Sequence, residues 1–483
     1  MRHFTIFTCM IFLVAGCSPN RSGNNTGESL PNIVLIVVDD LGYKDLHCYG
    51  NNLVETPNVD RLAREGIRFV NAYASCPVCS PTRAAILTGK NPVAVDITDW
   101  IPGHQAIRGP QPDQKFIVPE FNLHLPLEEV TLAERLKEAG YHTASIGKWH
   151  LGGDGYLPTD QGFDLNVAGN DRGRPPSYYY PYTSDKKNSQ FTITPLELTG
   201  DSLYLTDRLT NEAIDYMEKR DEGPFFLYLP FYTVHTPLEG RKDLVKKYEK
   251  VIAASNEPIV RNPHFLAMVE CMDENVGRLL ETLDRLEITR ETMVIFVSDN
   301  GGLQIRGKRE NNEYNHLWAS WNYPLRAGKG TLYEGGLRVP AIVKWPGKME
   351  AGRVSEELII STDLFPTIME VTGLSAGDGL EGVSLVPHMR NREPVKRETF
   401  HWHYPHYHKT RPGSVIRKGD FKLIKYWEDE RLELYNLATD ISEEHNLADS
   451  LPGKTLEMEQ SLMQWLEEEG AGMPVPNPGY RGD

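Results

Sequence analysis

The chain has 483 residues, 40% of them hydrophobic and 24% charged, an ordinary makeup for a globular protein with a core large enough for one big domain and a smaller partner. A net charge of −16 excludes nucleic-acid capture through a general field, and leaves any attraction for an anionic substrate to a local basic pocket. No heptad array, low-complexity tract or short fixed-period repeat is present, which excludes fibrous and solenoid architectures.

The N-terminus reads as a targeting segment. Arg2 and His3 precede an apolar run, Phe4 to Val14, that is too short to span a bilayer. It ends in Val14-Ala15-Gly16-Cys17, which resembles a bacterial lipoprotein signal cleaved before Cys17, with lipid on the Cys17 thiol. A plain secretory signal is the alternative. Residues 1–17 are thus the expected signal and 18–31 a polar, flexible tether. This places the chain in a bacterial cell envelope, periplasmic or at the cell surface. Of the six cysteines, Cys9 leaves with the signal and Cys17 carries lipid. The remaining four, Cys48, Cys76, Cys79 and Cys271, are too few and scattered for a disulfide scaffold.

The continuous apolar run Asn32–Val38 fits a strand buried on both faces of a parallel sheet. It ends in Asp39-Asp40, at the strand end where α/β folds place ligands. A helix follows from Thr56-Pro57 to Glu65, stopped by Gly66. Phe225 to Phe231 is another apolar run, and Phe265 to Leu283 has helical spacing. Met293–Val297 is a second buried strand, ending Ser298-Asp299-Asn300-Gly301-Gly302. The alternation predicts an α/β fold with a large, mainly parallel sheet sandwiched by helices over 32–375. Beyond Gly373 the texture changes to four short strands, Thr399–His403, Ser414–Arg417, Phe421–Tyr426 and Leu432–Tyr435, then a helix from Lys454 to Glu468. Residues 376–470 therefore read as a smaller subdomain of antiparallel sheet plus helix, with Leu456, Leu462, Met463 and Leu466 on one helix side. Residues 471–483 read as an irregular tail.

Cys79-Ser80-Pro81-Thr82-Arg83 opens a helical segment that Gly89 caps. Cys79 then lies at a helix N-terminus, where free N–H groups and the dipole favour an anion. Arg83 is one turn along and able to reach back toward Cys79. A buried structural cysteine on an ordinary helix explains this stretch alone nearly as well.

Cys-x-Pro-x-Arg resembles the signature of type I sulfatases, in the alkaline phosphatase superfamily, and the likeness runs from about Asn32 to Asp449. The resemblance implies an alkaline phosphatase-like fold and oxidation of Cys79 to formylglycine (3-oxoalanine) by a sulfatase-maturating enzyme. The aldehyde hydrate is then the nucleophile. Asp39, Asp40, Asp299 and Asn300, with Cys79, correspond to the site for one divalent cation. An all-oxygen protein set suits Ca²⁺ better than zinc. Gly147-Lys148-Trp149-His150-Leu151-Gly152 matches the segment whose Lys148 contacts sulfate and whose His150 contacts the formylglycine hydroxyl. His235, in Val234-His235-Thr236-Pro237, corresponds to the residue assisting the leaving alcohol. Lys329 corresponds to the second sulfate-side lysine. Arg83 is expected to join them in offsetting charge on the sulfate.

The expected substrate is a sulfated carbohydrate, a galactose or N-acetylgalactosamine unit, since the likeness is to N-acetylgalactosamine-6-sulfatase-like and arylsulfatase A-like enzymes. Trp100 could stack on a sugar or belong to a structural turn. Arg172 and Arg174 lie in a loop before three tyrosines. His401-Trp402-His403-Tyr404-Pro405-His406-Tyr407-His408 reads as a substrate-facing loop offering His403, His406 or His408, with a metal tract as alternative. Two competing functions stay open: a phosphohydrolase or phosphonate hydrolase of the same superfamily, and a catalytically inactive glycan-binding surface lipoprotein.

Overall fold

The computed structural model describes residues 30–183, 203–220, 222–256, 261–305, 314 and 316–482. The expected signal, with Cys17, and most of the tether lie outside the described residues.

Strands in chain order are β1 (Asn32–Val38), β2 (Ile67–Tyr73), β3 (Phe116–Ile117), β4 (His142–Ile146), β5 (Leu165–Val167), β6 (Phe225–Pro230), β7 (Thr292–Ser298), β8 (Arg338–Lys344) and β9 (Arg353–Ile360). The C-terminal region adds β10 (Thr399–Tyr404), β11 (Gly413–Lys418), β12 (Phe421–Tyr426), β13 (Leu432–Asn436) and β14 (Val475–Pro476). Eight strands form the main sheet in the order β5-β4-β6-β1-β7-β8-β2-β9. β1 is central, parallel to both β6 and β7, which is why its sequence is apolar from Ile33 onward. Its residues alternate between two cores. Val34, Ile36 and Val38 pack with the helix Pro263–Arg285 on one face. Ile33, Leu35 and Val37 face Ala84, Ile86 and Leu87 on the other. The sheet is mainly parallel, and the departure is β8, antiparallel to both β7 and β2.

Helix α1 (Pro57–Glu65) starts on proline and ends at Gly66. Helix α2 (Cys79–Thr88) is buried along its whole length and closes on Gly89, whose φ of 71° is the left-handed conformation a helix stop of this kind requires.

The second unit is the antiparallel sheet β10-β11-β12-β13. One face, through Phe400, Trp402, Tyr404, Val415 and Ile424, packs on Tyr73, Leu337 and Ile360 of the large domain. The other, through Ile416, Leu423 and Leu434, is covered by the helix Pro452–Glu468. That helix buries Met458, Leu462 and Leu466, spaced four apart, and leaves Leu456 and Met463 exposed, so its inner face is rotated from the expected one. The tail is not wholly irregular either. β14 pairs with β3, and Asn477 donates to the carbonyls of Gln111 and Gln114. Cys48, Cys76, Cys79 and Cys271 are all free thiols.

Candidate active site

The parallel pairing of β1 with β7 sets Val38 beside Ser298. The next residues of each strand, Asp39-Asp40 and Asp299-Asn300, therefore emerge together at the carboxyl edge of the sheet. All four are fully buried. Asp40 sits at φ 62°, a left-handed conformation that aspartate tolerates better than most residues.

Asp299 is hydrogen-bonded on both oxygens. Its Oδ2 accepts from Arg83 Nε at 2.9 Å and its Oδ1 from the Asp40 amide at 3.2 Å. Three other oxygens, Asp39 Oδ1, Asp40 Oδ2 and Asn300 Oδ1, are buried with no hydrogen-bond donor. Burial of three unpaired acceptors in one place costs several kcal/mol unless a cation meets them. Ligand atoms of Asp39, Asp40, Cys79 and His235 also lie within 4.8 Å of one another. The donor set fits a hard divalent cation at the tip of α2, and Asp299, whose oxygens keep lone pairs beyond these bonds, stands beside it.

Cationic side chains surround these carboxylates. Lys148 Nζ donates to Asp39 Oδ2 at 2.7 Å. Lys329 Nζ donates to Asp40 Oδ1 and lies 3.1 Å from Cys79 Sγ. His235 Nε2 is 3.6 Å from Asp40 Oδ2. Burial pushes the Asp39 carboxyl up to about 8 against the pull of Lys148. At Asp40 burial acts in the same direction, but Lys329, His235 and Lys148 outweigh it and hold that carboxyl well below the usual range. Burial likewise raises the Cys79 thiol to about 11, so an unmodified Cys79 is neutral at pH 7 and a weak nucleophile.

Arg83 does not reach back to Cys79. Its guanidinium, fully buried, is used on Asp299 and on the Lys148 carbonyl, which Nη1 meets at 2.8 Å. One turn into α2, it braces Asp299 of the cation site and its charge still acts on Cys79.

His150 is held from two sides. Its Nε2 meets the Ile101 carbonyl at 2.7 Å, which makes Nε2 the protonated nitrogen and leaves buried Nδ1 as an unpaired acceptor. Gly173 lies against the ring: a Cβ there would stand 2.5 Å from Cε1 and 2.7 Å from Nε2. Burial keeps this imidazole neutral. Its backbone is left-handed, φ 58°, as is that of Ala327 near Lys329, φ 57°. Three such non-glycine residues, counting Asp40, gather at one site, the pattern expected where backbone strain serves geometry.

A cleft of about 1190 Å³ opens above Cys79, His150, His235 and Lys329. Trp100, Arg172, Arg174 and His408 line it, as does His104, which sequence reasoning missed. The Trp100 and His408 rings flank His104 at 5.2 and 5.1 Å. His403 and His406, by contrast, do not face the cleft. His403 is buried between Ser414 Oγ, at 2.7 Å, and the Gly472 carbonyl, at 2.9 Å. His406 is buried on Thr98 Oγ1 at 2.8 Å. His401 stacks on Trp465. The histidines of this stretch are thus dispersed, and the metal-tract alternative falls with them. Strand alternation in β10 turns His401 and His403 away from the large domain, and only the loop beyond carries His408 to the cleft.

Comparison with known proteins agrees with this geometry. The sulfatase family matches residues 31–374, and the C-terminal region of N-sulphoglucosamine sulphohydrolase matches 327–470. A sulfatase of Formosa agariphila is 32% identical, over 98% of this chain and 95% of its own. The N-acetylgalactosamine-6-sulfatase of Canis lupus familiaris is 32% identical over 77% of this chain and 68% of its own. Among solved structures, Ps i-CgsB in complex with k-i-k-neocarrahexaose superposes with a TM-score of 0.73 at 29% identity, covering 90% of this chain and 93% of that one. With Asp39-Asp40, Asp299-Asn300, the two lysines and Cys79 brought to one sheet edge, the chain belongs to the sulfatase family, as a type I, formylglycine-dependent sulfuric-ester hydrolase of alkaline phosphatase-like fold.

Proposed function

We propose that the chain hydrolyses the sulfate ester of a sulfated galactose or N-acetylgalactosamine unit in a glycan, with Cys79 as the source of the nucleophile. One observation carries this: Cys79 Sγ lies 3.1 Å from the Lys329 ammonium, at a helix N-terminus, on the floor of an open cleft. A sulfate group there meets the α2 dipole, Lys329 and the field of Lys148. Conversion of Cys79 to formylglycine by a maturating enzyme supplies, as its hydrate, the attacking hydroxyl. Asp39, Asp40, Asp299 and Asn300 would hold Ca²⁺ beside residue 79, and the ion would supply Lewis-acid stabilisation of the sulfate oxygens.

The chain's own groups do the rest. Lys148, fixed on Asp39, balances negative charge below the sulfate. Lys329, at the cleft floor beside Asp40, is placed to give a proton to the departing alcohol, and His235, which burial holds neutral with its Nδ1 on the Thr236 carbonyl at 2.9 Å, keeps Nε2 beside the same carboxylate. His150, with Nδ1 free to accept, takes the proton released when sulfate leaves. The wall formed by Trp100, His104 and His408 offers ring faces to a sugar, and the exposed Arg172 and Arg174 offer cations at the mouth. The glycan assignment draws on the N-acetylgalactosamine-6-sulfatase and the saccharide-bound relative. Lipidation at Cys17 would tether this cleft to the cell envelope. No helix among the described residues is long and apolar enough to cross a membrane.

The test is free sulfate released from a panel of sulfated galactose and N-acetylgalactosamine saccharides, with an aryl phosphate alongside. Sulfate release that Cys79→Ala abolishes supports the proposal. Preferential phosphate release, or glycan binding with no sulfate release by protein whose Cys79 is converted, overturns it.

A further inference from the structure

Lys329 sits in a loop, Arg326 to Leu337, whose geometry is imposed from outside the catalytic domain. The loop closes on itself where the Gly335 amide donates to the Arg326 carbonyl at 2.9 Å. Both ends then meet one residue of the C-terminal region, Glu443. Its carbonyl accepts from Arg326 Nη1 at 2.6 Å, and its Oε2 accepts from the Glu334 amide at 2.7 Å. Glu443 itself is at φ 52°, a conformation unusual for glutamate, and is fully buried.

Charge locks the arrangement. Lys422, on β12, is buried and donates to Glu334 Oε1 at 3.0 Å and lies 2.8 Å from Glu443 Oε1. Glu334 Oε2 accepts from Tyr73 of the large sheet at 2.6 Å, and Arg417 of β11 donates to the same hydroxyl. Two carboxylates and a lysine, none of them in the reaction, are thus buried together between the two domains. Burying them costs more than an apolar contact would, so their use here points to a demand for one fixed register. The loop residue that needs a fixed register is Lys329, whose ammonium must reach both Asp40 and Cys79.

We propose that Glu443 and Lys422 are positioning residues for Lys329: the C-terminal subdomain clamps both ends of the loop and so sets the second lysine of the sulfate site. This rests on the reading that Lys329 works in the reaction.

A double-mutant cycle on sulfate-ester hydrolysis tests it, using the full-length converted enzyme. Lys422→Met should lower kcat/KM by about tenfold or more, since displacement of a catalytic group by about 1 Å costs up to about 100-fold. In a Lys329→Ala background the same change should cost less than about twofold, because its target is already gone. Arg397→Met, which breaks a part-buried ion pair with Asp363 away from the cleft, should leave kcat/KM within about twofold. Should Lys422→Met not fold, Glu443→Gln, which keeps an oxygen for the Glu334 amide but adds a donor facing Lys422, takes its place in the cycle. Losses that multiply across the cycle, or a folded Lys422→Met or Glu443→Gln enzyme with unchanged kinetics, overturn the clamp. A Lys329→Ala enzyme of full activity instead overturns the reading on which it rests.

Discussion

Gly173→Ala isolates the placement of His150. The glycine backbone does not need a left-handed φ here, so the substitution acts through space alone. The added methyl would stand 2.5, 2.7 and 3.0 Å from Cε1, Nε2 and Nδ1 of the ring, the first two closer than real Cβ contacts allow and the third tighter than most. The ring cannot recede without leaving the Ile101 carbonyl at 2.7 Å. Losing that bond strands a buried N–H, worth about 1–3 kcal/mol, and displacement of the ring by about 1 Å predicts a loss of up to about 100-fold in kcat. Gly153 lines the same cleft, but a Cβ there would meet Asp171 only at 3.6 and 3.8 Å. Gly153→Ala should therefore be neutral. Steady-state sulfate release by both variants is the assay. If Gly173→Ala keeps kcat within about twofold, the pinned imidazole is not needed where the structure puts it, and the assignment of His150 is wrong.

Other outcomes follow from the same geometry. Arg83→Met leaves Asp299 buried without its partner and should cost about 3–5 kcal/mol in urea unfolding, whatever the substrate. Returning Ca²⁺ to chelator-treated protein at one hundred times its Kd should add about 2.7 kcal/mol of stability, seen as a higher Tm that Asp39→Ala abolishes; no shift, or a larger one with Zn²⁺, contradicts the oxygen site. Burial pushes the Glu381 carboxyl from 4.5 up to about 7. The folded state then holds a proton that the unfolded chain releases, so this stabilisation is full below about pH 4.5 and is lost as pH rises through 7. Glu381→Gln should flatten the decline between pH 5 and 8 by at most about 3 kcal/mol in chemical-denaturation curves, and an unchanged slope refutes the shift.

What the sequence disclosed was governed by local pattern. Ile33–Val38 and Met293–Val297 are apolar throughout because both strands are flanked and covered, and their trailing Asp and Asn residues then had to meet at the sheet edge. Gly89 marked a helix end because its backbone is left-handed, and Gly66 because a Cβ there would stand 2.3 Å from the Val343 carbonyl oxygen. Side-chain direction was less legible. Position alone allowed Arg83 to turn toward Cys79, and only the packing of α2 on the sheet end sends it to Asp299. His403, His406 and His408 looked alike in sequence, but strand alternation and packing bury the first two and carry the third to the cleft. Glu443 and Lys422 gave no signal, because their function depends on contacts about 90 to 110 residues distant in the chain with Glu334. The antiparallel insertion of β8 was hidden for the same reason: an apolar run states burial, not direction.

The most direct test is the mass of the peptide spanning Cys79, taken from protein that releases sulfate. The chemistry derived for this site predicts the aldehyde or its hydrate at position 79, in proportion to specific activity. Full activity from protein whose Cys79 remains a thiol would contradict it.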